Sequence, residues 1–330
     1  MATMRTVLTA AFFAVGVGVL AGCGGSTKPA GSSSLPAPFR ITARLSARSL
    51  GLRNPRSLAI GPNGNLYVTD ASQRITVISP SGKVIRRWGR PGTGRGQFRF
   101  VGHDPSDPND INGKVAVGPD GMVYVSDGGN ARVQVFTGQG RFVRQFGSFG
   151  SGKAQFLSPT GLAIDHDGNV YVVDDQPGTL SKFSASGKPI WRVGGAASAD
   201  RNFAGHLQLL GSIDAHGRLV LANDERGRIL YVDGDGHAVD SFGAPTRGLA
   251  SPWACGATVD ARGDTYVFEC FPRSFIRVFD RTHRLVAQWS RATFGPPQFG
   301  PHGEVFALYK DGGNDIVGGI LKLKITLPGG

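Results

Sequence analysis

One sentence is written six times along this chain, and that repetition limits the fold more than any other property. Its clearest copy reads PTGLAIDHDGNVYVVDD, from Pro159 to Asp175. Others run from Asn54 to Asp70, Asn112 to Asp127, Gly211 to Asp224 and Gly256 to Glu269, and a degraded sixth from Pro297 to Tyr309. Their turn glycines, Gly64, Gly121, Gly168, Gly217, Gly263 and Gly303, recur every 40 to 57 residues, the spacing of a four-stranded propeller blade.

Each copy reads as a hairpin. An apolar run such as Leu162 to Ile164 meets a polar turn ending in glycine, and a β-rich run follows. One column holds the small residues Ala59, Ala116, Ala163, Ser212 and Thr258, then Gln298, and small side chains suit strands crowded round an axis. Another holds Tyr67, Tyr124, Tyr171, Val220, Tyr266 and Phe306, large enough to fill the gap between blades. Outer strands announce themselves as apolar pairs four residues apart, Val84/Trp88, Phe142/Phe146, Ala238/Phe242 and Leu285/Trp289. The last copy is followed by one more strand, Ile320 to Ile325, and the N-terminal FRITARLS carries the same pair as Ile41/Leu45. The expected fold is therefore all-β, a six-bladed propeller of four-stranded antiparallel blades closed by an N-terminal strand in the last blade, which removes exposed sheet edges.

The phrases FGSFGSGKAQFLSPTGLAIDHDGNVYVVDD (Phe146 to Asp175), WGRPGTGRGQF (Trp88 to Phe98) and NARVQVF (Asn130 to Phe136) resemble the NHL repeat, over roughly residues 39 to 327. That resemblance implies a six-bladed propeller. It leaves function open among sensor domains, protein- or RNA-binding platforms, lyases and lactone hydrolases.

Residues 1–22 read as a signal peptide, with Arg5 followed by the uncharged apolar run Val7 to Leu20, too short to span a bilayer. Leu20-Ala21-Gly22-Cys23 resembles a bacterial lipobox, which makes Cys23 the expected lipidation site. Residues 23–38 then form a Gly/Ser/Pro tether and 39–330 the propeller. The expected location is the cell membrane, lipid-anchored on its extracytoplasmic side. The net charge of +12 suits anionic headgroups or cell-wall polymers. In that compartment no nucleic acid is expected as partner, and the chain is read as a monomer.

Chemistry has few candidates. Second strands end in Asp70, Asp127, Asp174, Asn223, Glu269 and Tyr309, oxygens that can pin the following loop by accepting backbone N–H groups. The alternative is a ring of oxygens round a hard cation, but a repeated column spreads its members round a rim instead of converging them. The loop HDPSDPND offers Asp104, Asp107 and Asp110 as weak calcium ligands without the glycine and glutamate of an EF-hand. No other cofactor is expected. Propeller lyases use histidines facing the channel, for which His206 and His302 are the candidates. The preferred reading is a non-catalytic, membrane-anchored propeller that binds a protein, peptide or anionic cell-envelope ligand through one rim, with a metal-dependent hydrolase or lyase as runner-up. That rim would present Arg56, Asp127, Arg132, Asp175, Arg228, Trp253, Glu269 and Phe271, a mixture of aromatics and arginines that interface centres favour. Cys255 and Cys270 flank the fifth hairpin and are expected to form a disulfide. An even-numbered turn would place them opposite each other, whereas a three-residue turn with a bulge would set Cys255 against Glu269.

Overall fold

The computed structural model describes residues 35–100, 113–174, 178–195, 198, 200–203, 205, 207–223, 226–243, 254–269, 275–290, 295–310 and 317–327. Six antiparallel four-stranded sheets follow one another, and the molecule is a six-bladed β-propeller. Blade 1 comprises Ser57–Ile60, Leu66–Asp70, Arg74–Ile78 and Val84–Trp88, and blade 2 Val115–Val117, Val123–Asp127, Arg132–Phe136 and Phe142–Phe146. Blade 3 comprises Pro159–Ile164, Val170–Asp174, Thr179–Phe183 and Pro189–Gly194, and blade 4 Leu207–Ile213, Leu219–Asn223, Arg228–Val232 and Ala238–Phe242. Blade 5 is Ala254–Val259, Thr265–Glu269, Phe275–Phe279 and Leu285–Ser290, and blade 6 joins Gln298–Phe299, Val305–Lys310 and Val317–Ile325 to the N-terminal strand Phe39–Ser46. Among the described residues no helix is long and apolar enough to cross a membrane.

The core lies between the blades. Among the described residues there are six apolar clusters, and each joins two neighbours: Tyr67 of blade 1 meets Val123 and Phe136 of blade 2, and Tyr171 of blade 3 meets Leu219 and Leu230 of blade 4. The ring closes through a cluster holding Leu66 and Ile78 of blade 1 with Phe306 and Ile320 of blade 6. A blade presents both sheet faces to neighbours, so its second strand reads as a continuous buried run, as in VYVVD.

The small and large columns turn out to be partners. Ala59 faces Tyr67, Ala116 faces Tyr124, Ala163 faces Tyr171 and Thr258 faces Tyr266 across the first strand pair. Directly opposite side chains share one face of the sheet. The small residue therefore leaves room for the ring beside it, which adds a reason for its size beyond crowding at the axis.

The outer strands account for the apolar pairs four residues apart. In a straight strand both members would share a face. Here one extra residue sits between them: Ile78 faces Val84, Val77 faces Arg86, and Ile85 is the extra residue of a bulge. Val84 consequently packs in the seam with blade 6 while Trp88 packs in the seam with blade 2. Val143, Ile190 and Val239 occupy the same bulge position in blades 2 to 4, and like Ile85 they are exposed aliphatics. A bulge kinks an edge strand and spoils it as a template for another chain. In the closing strand Thr42 is the extra residue, and Ile41 and Leu45 again pack in different seams.

The propeller has two rims. One, the turn rim, carries the tight turns that join first to second and third to fourth strands. The other, the loop rim, carries the connections from second to third strand and from blade to blade. Outer strands begin at the turn rim, so Phe39, which opens the outer strand of blade 6, marks the chain's entry there. Just before it, the Pro36 carbonyl accepts a bond from Gln288 N–H at 3.2 Å and the Pro38 carbonyl one from Thr326 N–H at 2.9 Å.

Candidate binding rim

The second-strand ends define the loop rim, and the structure places Asp70, Asp127, Asp174, Asn223 and Glu269 there with no exposed surface. Their oxygens are spent inside the fold. Asp127 accepts the Arg99 backbone N–H at 2.7 Å, the Asn130 amide at 2.9 Å, the Arg132 Nε–H at 2.8 Å and the Gln134 amide at 3.0 Å. Arg132, 7 % exposed, spans from this carboxylate to the loop of the preceding connection, donating to the carbonyls of Gly94 at 2.9 Å and Gln97 at 3.0 Å. Charge-assisted bonds of this kind are about twice as strong as neutral ones. Asp127 and Arg132, expected at a ligand-facing rim, are therefore the inner clamp of the loop 92–98.

Blade 3 rebuilds this clamp from different parts. Asp174 accepts the N–H groups of Leu157 at 2.8 Å and Ser158 at 2.6 Å. Its guanidinium comes from the outer strand, where Arg192 lies 3.4 Å from Asp174 and donates to the carbonyls of Gly152 at 2.7 Å and Gln155 at 3.0 Å. In blade 5 the third-strand Arg277 lies 3.3 Å from Glu269 and bonds Gln288 at 3.1 Å. Blade 1 pairs Asp70 with Arg74 at 3.5 Å and with the Arg53 N–H at 3.3 Å. A residue-by-residue column found the acids but not Arg192 or Arg277, because the base opens the third strand in blades 1 and 2, sits mid-strand in blade 5 and comes from the fourth strand in blade 3. The signal available was the loop itself, GTGRGQF at 92–98 and GSGKAQF at 150–156, whose Gln97 and Gln155 brace Gly94 N–H and Gly152 N–H.

Blade 4 departs from the pattern. Asn223 stands where its neighbours carry an acid; its amide donates to the Asn202 carbonyl and its oxygen accepts the Arg226 N–H. Arg228, across from Asn223, contacts the hydroxyl of Ser241 and among the described residues forms no ion pair. Its cationic head is half-buried at the loop rim. The same rim exposes an aromatic that the rim reading missed: Phe149 is 75 % exposed. Its loop is held by Gly150 N–H to the Phe156 carbonyl at 3.1 Å and Gln155 to the Phe149 carbonyl at 3.2 Å. Arg56, half-buried, opens blade 1 with its N–H on the Thr69 carbonyl at 3.0 Å. Asp175, Trp253 and Phe271, the calcium candidates Asp104, Asp107 and Asp110, His206, and Cys23 lie outside the described residues.

Cys255 is disulfide-bonded; Cys270 lies outside the described residues. The fifth hairpin has the three-residue turn, with Asp260 N–H on the Asp264 carbonyl at 3.1 Å. Ala254 faces Glu269 and Gly256 faces Phe268, which makes Cys255 the extra residue of a bulge. The even-numbered register does not occur.

The five described histidines, His166, His216, His237, His283 and His302, all stand on turn-rim hairpins. His302 is exposed and its ring lies 3.1 Å from the Pro62 carbonyl of blade 1, away from the loop rim. Among the described residues no three His, Cys, Asp or Glu side chains gather in a metal-binding group. On the turn rim the acids bond locally: Asp214 accepts the N–H of His216 and Arg218 at 2.9 Å each, and Asp260 accepts those of Arg262 and Asp264.

Comparison with known proteins agrees with this architecture. Residues 110–192 match the family DUF5128, described as a 6-bladed beta-propeller. Over 161 residues, 45 % of this chain, it is 33 % identical to the peptidyl-glycine alpha-amidating monooxygenase of Mus musculus, and the match spans only 15 % of that protein. The protein brain tumor of Drosophila melanogaster is 24 % identical over 187 residues, 54 % of this chain and 16 % of that protein. Among solved structures, the virginiamycin B lyase of Staphylococcus aureus superposes with a TM-score of 0.53 at 12 % identity, covering 82 % of this chain and 81 % of its own. A streptogramin B lyase gives 0.55 at 13 % identity, covering 88 % and 98 %. At such identities the likeness is one of fold. This chain is a six-bladed β-propeller with distant relatives among NHL-repeat proteins.

Proposed function

We propose that this chain is a lipid-anchored, non-catalytic propeller that binds a protein, peptide or anionic cell-envelope ligand through its loop rim. The observation that carries this reading is Phe149, an aromatic three-quarters exposed on a loop whose base is fixed by the Asp174–Arg192 clamp. A rigidly presented aromatic loses little entropy on binding and is a typical centre of an interface. Arg228 supports an anionic partner, since among the described residues no carboxylate pairs with its charge. Anchoring rests on the Leu20-Ala21-Gly22-Cys23 motif.

The test compares capture from an envelope extract by the intact protein and by Phe149→Ser and Arg228→Glu. Both variants should retain less partner while melting as wild type. Cys23→Ala should move the protein from the membrane to the soluble fraction. Undiminished capture by both rim variants overturns the rim assignment, and turnover of quinupristin, the compound bound in one lyase structure of this fold, would favour the enzyme reading.

A further inference from the structure

The seam between blades 1 and 2 opens on the turn rim into a cleft of about 330 Å³, bounded by the hairpin turns of both blades and the outer strand of blade 1. At its floor lies Tyr67, 3 % exposed. Its ring packs edge-on against Trp88 at 6.4 Å, yet among the described residues its hydroxyl has no hydrogen-bond partner. In blades 3 and 5 the equivalent ring is satisfied. Tyr171 donates to Asp165 at 3.1 Å and Tyr266 to Asp260 at 3.0 Å, both acids at the start of the hairpin turn. Blade 1 has Gly61 at that turn position. A second substitution opens the space. Opposite Tyr171, Lys182 reaches across the seam to the Gly234 carbonyl at 2.9 Å and fills it, whereas opposite Tyr67 stands the shorter Val77. The far wall is glycine: a Cβ at Gly138 would come within 3.1 Å of the Tyr67 hydroxyl and 3.3 Å of the Gly121 carbonyl.

The Tyr67 hydroxyl faces this cleft and can donate to or accept from whatever enters it. The walls say what that is. Arg86 and Asp120 set one positive and one negative charge on the cleft, so neither sign of net charge is favoured. Asn63 and Gln139 add amides that both donate and accept, and Ile85 and Met122 add an apolar strip. Arg86 is oriented by its bond to the Gln139 carbonyl at 3.2 Å. The volume is at the lower end of the ~300–1,000 Å³ typical of ligand pockets, with room for one or two sugar rings. We propose that this cleft binds a neutral, hydroxyl-rich ligand, a mono- or disaccharide, with a ligand hydroxyl on Tyr67 and the C–H face of the ring on Ile85 and Met122.

Saturation-transfer NMR and calorimetry on the intact protein with glucose, N-acetylglucosamine and maltose provide the test. At least one sugar should bind saturably. Tyr67→Phe, Gly138→Val and the exposed Arg86→Ala should each weaken it tenfold or more. Gly138 does not adopt a positive φ and the same turn position in blade 3 holds Ala185, so the valine is compatible with the backbone. Phe149→Ser on the opposite rim should leave sugar binding unchanged, which separates this site from loop-rim binding. No saturable binding by the three sugars overturns the proposal. So does binding indifferent to Arg86→Ala and to whichever of the other two variants folds, or displacement of the sugar by a charged dipeptide at equal concentration.

Discussion

Asp127 and Asp214 are both aspartates placed where a strand meets a connection, and they do different work. Asp127, on the loop rim, is fully buried and gathers groups from the preceding connection, the third strand and its own loop. Asp214, on the turn rim, bonds the N–H groups two and four residues ahead and pairs with Arg218 of the same turn at 2.7 Å. One acid holds distant segments together, while the other shapes only five residues. The contrast teaches that this propeller fixes its long connections from beneath, with charge out of water, and leaves its short turns to fix themselves.

Mutations can break that contrast, and the largest effect belongs to the buried acid that holds four partner residues. Asp127→Ala would strand the buried Arg132 and Gln134, and a loss of about 3–5 kcal/mol is expected, as for other broken buried pairs. Urea unfolding measures it, and a loss below 1 kcal/mol would mean that water replaces the carboxylate. Asp174→Asn keeps an acceptor for Leu157 or Ser158 but removes the charge facing Arg192. About 2 kcal/mol is expected from weakening bonds to a charged group, with faster proteolysis in the loop 147–158. Asp214→Ala should cost only about 1 kcal/mol, the net worth of ordinary hydrogen bonds, and leave loop proteolysis unchanged.

The smallest effect is a pH dependence on the turn rim. Partial desolvation pushes the Asp233 carboxyl up, but the N–H groups of His237 and Asp235 outweigh it and hold the group below its usual range. Asp280 is held low mainly by the Thr282 hydroxyl, with the N–H groups of Arg284 and Thr282 adding to it. An acid lowered in the folded state contributes stability above its unfolded value near ~4, and loses it as pH falls through the folded value. The urea midpoint of Asp233→Asn/Asp280→Asn should therefore fall less steeply than wild type between about pH 5 and pH 2. A parallel pair of curves would show that these turns do not report on folding.

Much of the architecture was legible because packing repeats with the blade. The hairpins, the tyrosine column and the closing role of Phe39–Ser46 follow from periodic residues that any blade must place alike. What resisted reading does not repeat by position. The clamp guanidinium comes from Arg132, Arg192 or Arg277 on three different strand positions, since only its head must reach the acid. Bulges were equally hidden. The pair Val84/Trp88 showed as a spacing, but that its members serve opposite seams depends on Ile85, which no property of isoleucine marks as an extra residue. Cys255 sits in a bulge for similar reasons, so its strand register could not be derived from the cysteine spacing alone. Burial at the rim was the remaining obstacle. Asp127 and Arg132 are polar residues beside a loop, which is how exposed ligand contacts also look in one dimension.

Closure by the first strand has a consequence for synthesis. Thr42 and Lys322, 280 residues apart, bond in the finished ring, so the outermost strand of blade 6 leaves the ribosome long before the strand it needs. Each earlier hairpin can form from neighbours already made, whereas the arc stays open until Val317–Ile325 has been made. Joining such remote ends adds only logarithmically to the entropic cost of closure but slows folding markedly. During that interval the growing arc ends in two apolar faces, one bearing Leu66 and Ile78, the other changing with every blade added. A nascent chain of this design therefore depends on being kept apart from its own kind until the strand Val317–Ile325 arrives.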